Sequence, residues 1–303
     1  MKLPFQRSGL FAAVALSFAT LSLTLAAPVA HAAGEKASIV VEGVQMPAWI
    51  ERSGARPEPL TPGTELRPSD QIKTGAGSRL LLRSSDGSSV KLGENATFKL
   101  NSLEQRGNVF AAAMNVLEGA FRFTTDKFAR HRQRREVDIQ VATVTAGIRG
   151  TDLWGKSDAS KQIVCLIEGR IQVTPPGESA ITMDQDKQFY VRDQGKSQPV
   201  AAVPDEQIKT WSAETEIEAG KGAMRRGGQW KIGLGNATSQ EEALKLYDDV
   251  RAAGYAASLY PSLQGDKRVY SVRIGNLPSK AEAVALADEL KGKFGSDAPK
   301  IFK

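Results

Sequence analysis

Between residues 35 and 193 the apolar residues come in short runs separated by turn residues. The runs lie at 37–41, 80–83, 89–92, 96–100, 115–117, 120–123, 137–144, 163–167, 171–174 and 188–191. Runs this short and this regularly spaced predict β-strands, and many of them in series predict a mainly antiparallel sandwich or rolled barrel. Asp86-Gly87 between two runs predicts a hairpin, and Glu168-Gly169 predicts a second. From residue 229 the period changes. Trp230-Lys231-Ile232-Gly233-Leu234 and the stretches 256–260, 269–274 and 300–302 read as strands. Between them Ala243, Leu246, Tyr247 and Val250 share one helical face, as do Ala283, Leu286, Ala287 and Leu290, with Gly254 and Gly295 as stops.

The C-terminal part repeats itself. Leu234-Gly235-Asn236 and Ile274-Gly275-Asn276 lie forty residues apart, and each ends a strand and leads to a helix start. The starts are capping boxes, Ser239 with Glu242 and Ser279 with Glu282. The order is βαββαβ, a small α+β domain at 229–303. Two helices cover one face of a four-stranded sheet and leave the other open. Because side chains alternate along a strand, Lys231, Gly233, Ser271 and Arg273 are expected on the open face. Small residues beside cations suit a polymer laid across the sheet; a merely solvated face fits the fold equally well.

The segment 229–303 resembles the SPOR domain, a peptidoglycan-binding module of bacterial envelopes. The likeness rests on the strand from Trp230 to Gly235, the helix after Ser239, Gly254-Tyr255-Ala256-Ala257, the strand Tyr270-Ser271-Val272-Arg273-Ile274-Gly275 and the helix after Ser279. It implies binding of glycan strands stripped of their peptide stems, which accumulate at cell-division septa. This chain has Gly233 where the first strand usually carries glutamine, and Ser271 where the third usually carries arginine.

The β region at 35–193 resembles the FecR domain. The matching residues are Asp70-Gln71-Ile72-Lys73-Thr74-Gly75, the stretch from Asp86-Gly87 to Leu92, Leu117-Glu118-Gly119-Ala120, Val141 to Asp152 with its Gly147-Ile148-Arg149-Gly150-Thr151 block, and Ile167-Glu168-Gly169-Arg170-Ile171. In signalling members of that family an N-terminal cytoplasmic segment controls a sigma factor and a transmembrane helix follows.

Here the N-terminus reads differently. Lys2 and Arg7 precede an apolar stretch at 9–27 and an Ala30-His31-Ala32 site, the order of a signal peptide at 1–32 cleaved after Ala32. An uncleaved anchor is the alternative, since a span needs about 18 apolar residues. Export places the protein in the periplasm, associated with the wall, with no transmembrane segment after cleavage. The charge balance, 40 Lys and Arg against 34 Asp and Glu, is mildly basic and aids adhesion to anionic envelope polymers.

Catalytic chemistry is sparse. There are two histidines, of which His31 leaves with the signal peptide and His131 sits in a charged run. No triad, His-rich metal site or phosphate-binding glycine loop is expected, and no cofactor. Carboxylate numbers alone leave a glycosidase-type pair open. The single Cys165 reads as a buried hydrophobe. The basic run at 127–135 reads as a solvated loop or a patch for an anionic polymer; export argues against nucleic acid. Arg149, between glycines, reads as a tie at a tight turn or a contact to an anionic ligand. Residues 194–228 read as a linker: 193–204 is polar and Pro-bearing, 205–218 holds a short helix with Ile208, Trp211 and Ile217, and 221–228 is Gly-rich, which would let the two domains move independently. The expectation is a non-enzymatic periplasmic protein that binds glycan strands through its C-terminal domain, with the β domain as a partner or scaffold module for another envelope protein. The alternative is an envelope signalling protein of the FecR type.

Overall fold

The computed structural model describes residues 36–125, 134–148 and 150–303. The N-terminal stretch read as a signal peptide, most of the basic run at 127–135 and Arg149 lie outside the described residues. Residues 35–303 form one compact unit.

The β region is a two-sheet structure with one core. Sheet one orders Ala223–Arg225, Ile39–Gln45, Arg79–Ser84, Ser89–Leu92, the second half of Val109–Thr124, Asp152–Ser157, Lys161–Glu168 and Gln188–Asp193. Sheet two orders Glu58–Pro59, Ala48–Glu51, Gln71–Thr74, Thr97–Arg106, the first half of Val109–Thr124, Arg134–Val141, Val144–Ile148, Ile171–Thr174 and Ile181–Met183. These pairings are antiparallel except that of Val109–Thr124 with Arg134–Val141, which is parallel. Phe98 and Phe110 from one sheet join Leu80, Phe121 and Phe123 from the other in the shared interior.

The runs at 115–117 and 120–123 form one strand of 16 residues that serves both sheets. It changes sheet at Glu118-Gly119. Gly119 has φ +87°, and a Cβ there would lie 2.5 Å from the Cα of Ala96. Only glycine meets both conditions, so this residue lets one strand turn the corner of the fold. The run at 137–144 splits into the hairpin of Arg134–Val141 and Val144–Ile148.

The Asp86-Gly87 hairpin forms. The Glu168-Gly169 hairpin does not: Lys161–Glu168 belongs to sheet one and Ile171–Thr174 to sheet two, so the chain crosses between sheets there. Both segments bury alternating residues, and burial against different sheets outweighs the local turn signal.

Residues 194–228 are bound, not loose. Lys196–Ser197 and Ala201–Ala202 pair with Gln188–Asp193, and Ala223–Arg225 pairs with Ile39–Gln45. The helix is shorter than 205–218, running Asp205–Ala213 after Pro204. Trp211 stacks on the buried Trp154 with centroids 4.6 Å apart and parallel planes, and Phe189 meets Trp211 edge-on at 6.0 Å. Ala120, Cys165, Val203 and Ile208 complete this second apolar cluster on the outside of sheet one. Past the helix Glu214 pairs with Lys156 at 2.8 Å, and Glu216 pairs with Lys91 and with Arg122. The segment is a strap whose aromatic and acidic residues match the apolar and basic parts of the sheet beneath. Burial pushes the Cys165 thiol up to about 12, so it packs as a hydrophobe.

The C-terminal sheet orders Ala257–Gln264, Lys267–Leu277, Trp230–Ala237 and Lys300–Phe302, all antiparallel, with the first and third strands of the chain order in the centre. Helices Gln240–Ala252 and Lys280–Leu290 cover one face with Ala243, Val250, Ala283, Leu286 and Leu290. Gly254 ends the first helix as expected. The second ends at Leu290, its last buried residue, before Gly292, so Gly295 is not its stop. Each helix starts at its serine, which accepts the N–H of Glu242 or Glu282 at 3.2 Å.

Only the serine half of each capping box forms, and the second glutamate is used elsewhere. Glu282 is buried, and its carboxylate accepts the backbone N–H groups of Gly220, Gly222 and Ala223 at 2.7, 2.6 and 2.9 Å. The Gly-rich segment is pinned to the small domain by this carboxylate and to sheet one by strand pairing. A second seam joins the domains directly. The Trp49 indole N–H donates to the Ala252 carbonyl at 3.1 Å, the Ala48 N–H donates to the Gly254 carbonyl at 3.2 Å, and Met46 lies against the Ala256 N–H. Gly254 has φ +86° and a Cβ there would lie 2.6 Å from the Trp49 ring, so the close approach needs glycine. The domains are therefore joined by hydrogen bonds and continuous apolar packing as well as by the glycine-bearing segment.

Candidate functional site

The open face of the C-terminal sheet holds a groove of about 380 Å³ lined by Gly233, Asn236, Ser262, Ser271, Arg273, Lys300 and Phe302, among others. Register explains its composition. Ser258, Arg273, Gly233 and Lys300 lie directly opposite one another across the four strands. Next to them Tyr260, Ser271 and Asn236 form a second row across three strands. Lys231 and Phe302 are opposite each other across the outer pair.

A bulge alters the alternation within the first strand. Gly233 pairs with Arg273 but Gly235 pairs with Val272, so Leu234 is the extra residue. Leu234 is buried and Gly235 lies under Leu246 of the first helix, so both turn to the helix side. The next outward residue is Asn236. Its Oδ1 accepts the Ser271 hydroxyl at 2.7 Å.

The four residues picked from sequence share this face, with different surroundings. Gly233 is the floor of the groove; a Cβ there would sit 3.4 Å from the Phe302 ring. Arg273 rises beside it with its guanidinium 4.9 Å from the Tyr260 ring centroid and 5.0 Å from that of Phe302. Two rings hold the charge by cation–π attraction and restrict its rotamers. Ser271 is only 5 % exposed and tied to Asn236, so it shapes the floor. Lys231 stands at the flank, opposite Phe302 and outside the groove lining; its Nζ donates to the Gln229 carbonyl at 3.4 Å.

Tyr260, Phe302, Lys300 and Asn236 were not picked from sequence. Tyr260 and Phe302 look like ordinary strand aromatics until pairing sets them on either side of Arg273. The period-two pattern Ser258-Leu259-Tyr260-Pro261-Ser262 carried a signal for Tyr260. Asn236 was concealed by the bulge.

In the β region several charges are tied into internal contacts. Arg135, the last residue of the basic run, turns inward: its Nε donates to Asp86 Oδ2 at 2.6 Å and its guanidinium also reaches the Asp86 carbonyl at 2.9 Å. Asp86 is buried and accepts the N–H and hydroxyl of Ser88 as well. Arg122 makes a two-pronged contact with Asp152 at 2.8 and 2.6 Å. That hydrogen bonding raises the guanidinium pKa above its ordinary value and keeps it charged. Among the described residues no group of His, Cys, Asp and Glu is arranged to hold a metal ion, and no helix is long and apolar enough to cross a membrane.

The FecR protein family model matches residues 70–172, and the SPOR domain model matches residues 227–298. No curated protein matches the chain. Two crystal structures of a "putative anti-sigma factor" from Parabacteroides distasonis ATCC 8503 are similar at 15 % identity and a TM-score of 0.39, covering 77 % of this chain and 98 % of that one. Residues 70–172 thus match a FecR domain and residues 227–298 a SPOR domain, in the order read from the sequence.

Proposed function

We propose that the protein is a non-enzymatic, wall-associated periplasmic protein whose open C-terminal sheet face binds peptidoglycan glycan strands stripped of their peptides. The observation that carries this reading is the groove itself: an uncovered central sheet face with a glycine floor, hydroxyl and amide groups at Ser262, Ser271 and Asn236, and a cation clamped between two rings. Saccharides offer hydroxyls and N-acetyl carbonyls along an extended polymer, and they need donors beside a smooth floor. Arg273 is the main donor, Gly233 and Ser271 shape the floor, and Lys231 flanks it. The FecR domain serves as a partner or scaffold module, held in fixed relation to the glycan surface by the Glu282 and Trp49 contacts. An envelope protein partner is expected on that domain, and the signal-peptide pattern of the first 32 residues supports export.

Co-sedimentation of the full chain with purified sacculi, before and after an amidase removes the peptides, tests the reading. Stronger sedimentation with treated sacculi is expected. Absence of sedimentation with treated sacculi overturns it, and release of soluble muropeptides overturns the non-enzymatic part.

A further inference from the structure

Arg273 and Lys300 stand on either side of Gly233 in one cross-strand row. Strands lie about 4.8 Å apart, so the two backbones are separated by roughly 10 Å across Gly233, which has the Phe302 ring beside it. Among the described residues no carboxylate forms an ion pair with Lys231, Arg273 or Lys300, whereas Arg83, Arg122, Arg135, Lys156 and Arg192 each have one. Cations gathered around a groove without counter-charges are a site for an anion. The rings of Tyr260 and Phe302 hold the Arg273 charge in place, which lowers the cost of fixing it on a ligand.

We infer that this row reads a carboxylate on the saccharide, and that charge is how the groove distinguishes stripped strands from peptide-bearing ones. The inference rests on the glycan reading above. In peptide-bearing strands the lactyl carboxyl of each muramic residue is tied up as a neutral amide. Hydrolysis of that amide leaves a carboxylate on the sugar. A guanidinium and an ammonium flanking a glycine floor discriminate between those two states by Coulombic attraction and charge-assisted hydrogen bonds. Lys300 thus joins Arg273 as a specificity-determining residue.

The test separates charge from bulk. Stripped glycan strands are compared with the same strands after carbodiimide coupling to methylamine, which restores a neutral amide without a peptide. Binding of both to the full chain is measured at low and high salt. The expected result is about tenfold weaker binding of the amidated strands at low salt, shrinking as salt screens the charges. Arg273→Gln/Lys300→Gln is expected to bind both strands equally. Lys300→Gln alone, at an exposed position away from the ring sandwich, is expected to lose part of the discrimination with an unchanged melting temperature. Equal binding of native and amidated strands by the wild type overturns the charge reading and leaves glycan binding standing. No binding of unmodified stripped strands overturns the glycan reading and this inference with it.

Discussion

The carboxylate of Glu282 accepts the backbone N–H of Gly222 at 2.6 Å, across sixty residues of sequence. With the parallel bonds from Gly220 and Ala223 it fixes the chain between the domains at the start of the second SPOR helix. Glu282→Ala leaves buried backbone donors without an acceptor. The expected cost is about 2–4 kcal/mol, since each bond to a charged group is worth ~1.5–3 kcal/mol before relaxation. Glu282→Gln keeps an acceptor and is expected to lose less. Thermal melts check the order, and limited proteolysis should show new cleavage at 219–228 in the alanine variant.

Trp211→Ala removes the ring that stacks on Trp154 and meets Phe189. About 2–3 kcal/mol of destabilisation is expected, combining lost apolar burial with the stacking contribution. The near-UV circular dichroism band of the four tryptophans should weaken while far-UV strand signal is retained, because the strap lies outside the sandwich core.

Cys165 is expected to resist thiol reagents in the native state and to react on unfolding. Burial raises its pKa from 9.0 to about 12. The sign follows: below 9.0 the thiol is neutral in both states, and from 9.0 upward the unfolded chain ionises first, so stability falls as pH rises toward 12. Reagent-labelling rates against pH and denaturant measure this directly. Rapid native labelling at neutral pH contradicts it.

Arg273→Ala is expected to weaken binding to amidase-treated sacculi by about 1–3 kcal/mol, the range for a charge-assisted bond to a ligand. Thermal stability should change by no more than about 1 kcal/mol, because the two ring contacts are half-exposed. The Arg273→Ala/Lys231→Ala double variant should sediment less than the wild type. Equal sedimentation would place the site elsewhere on the molecule.

Much of this was written in local pattern. The βαββαβ order, the serine helix starts, the short-strand rhythm of residues 35–193 and the buried character of Cys165 follow from periodicity, capping residues and hydrophobicity, which act over a few positions. The placement of Lys231, Gly233, Ser271 and Arg273 on one face followed from alternation alone. A bulge shifts that alternation by one, and it arises from pairing with a strand forty residues away, so Asn236 was out of reach of any local rule.

Tertiary structure decided the rest. Gly119 turns one strand through two sheets because Ala96 lies beneath it, and Glu168-Gly169 crosses between sheets because its flanking strands bury their apolar sides against different neighbours. Residues 221–228 read as a flexible joint, but the N–H groups of Gly220, Gly222 and Ala223 meet a carboxylate from a distant helix, and Trp49 meets Gly254. Composition and period are properties of a segment; which donor finds which acceptor, and which ring covers which charge, depends on the partners that folding brings within hydrogen-bond or van der Waals reach.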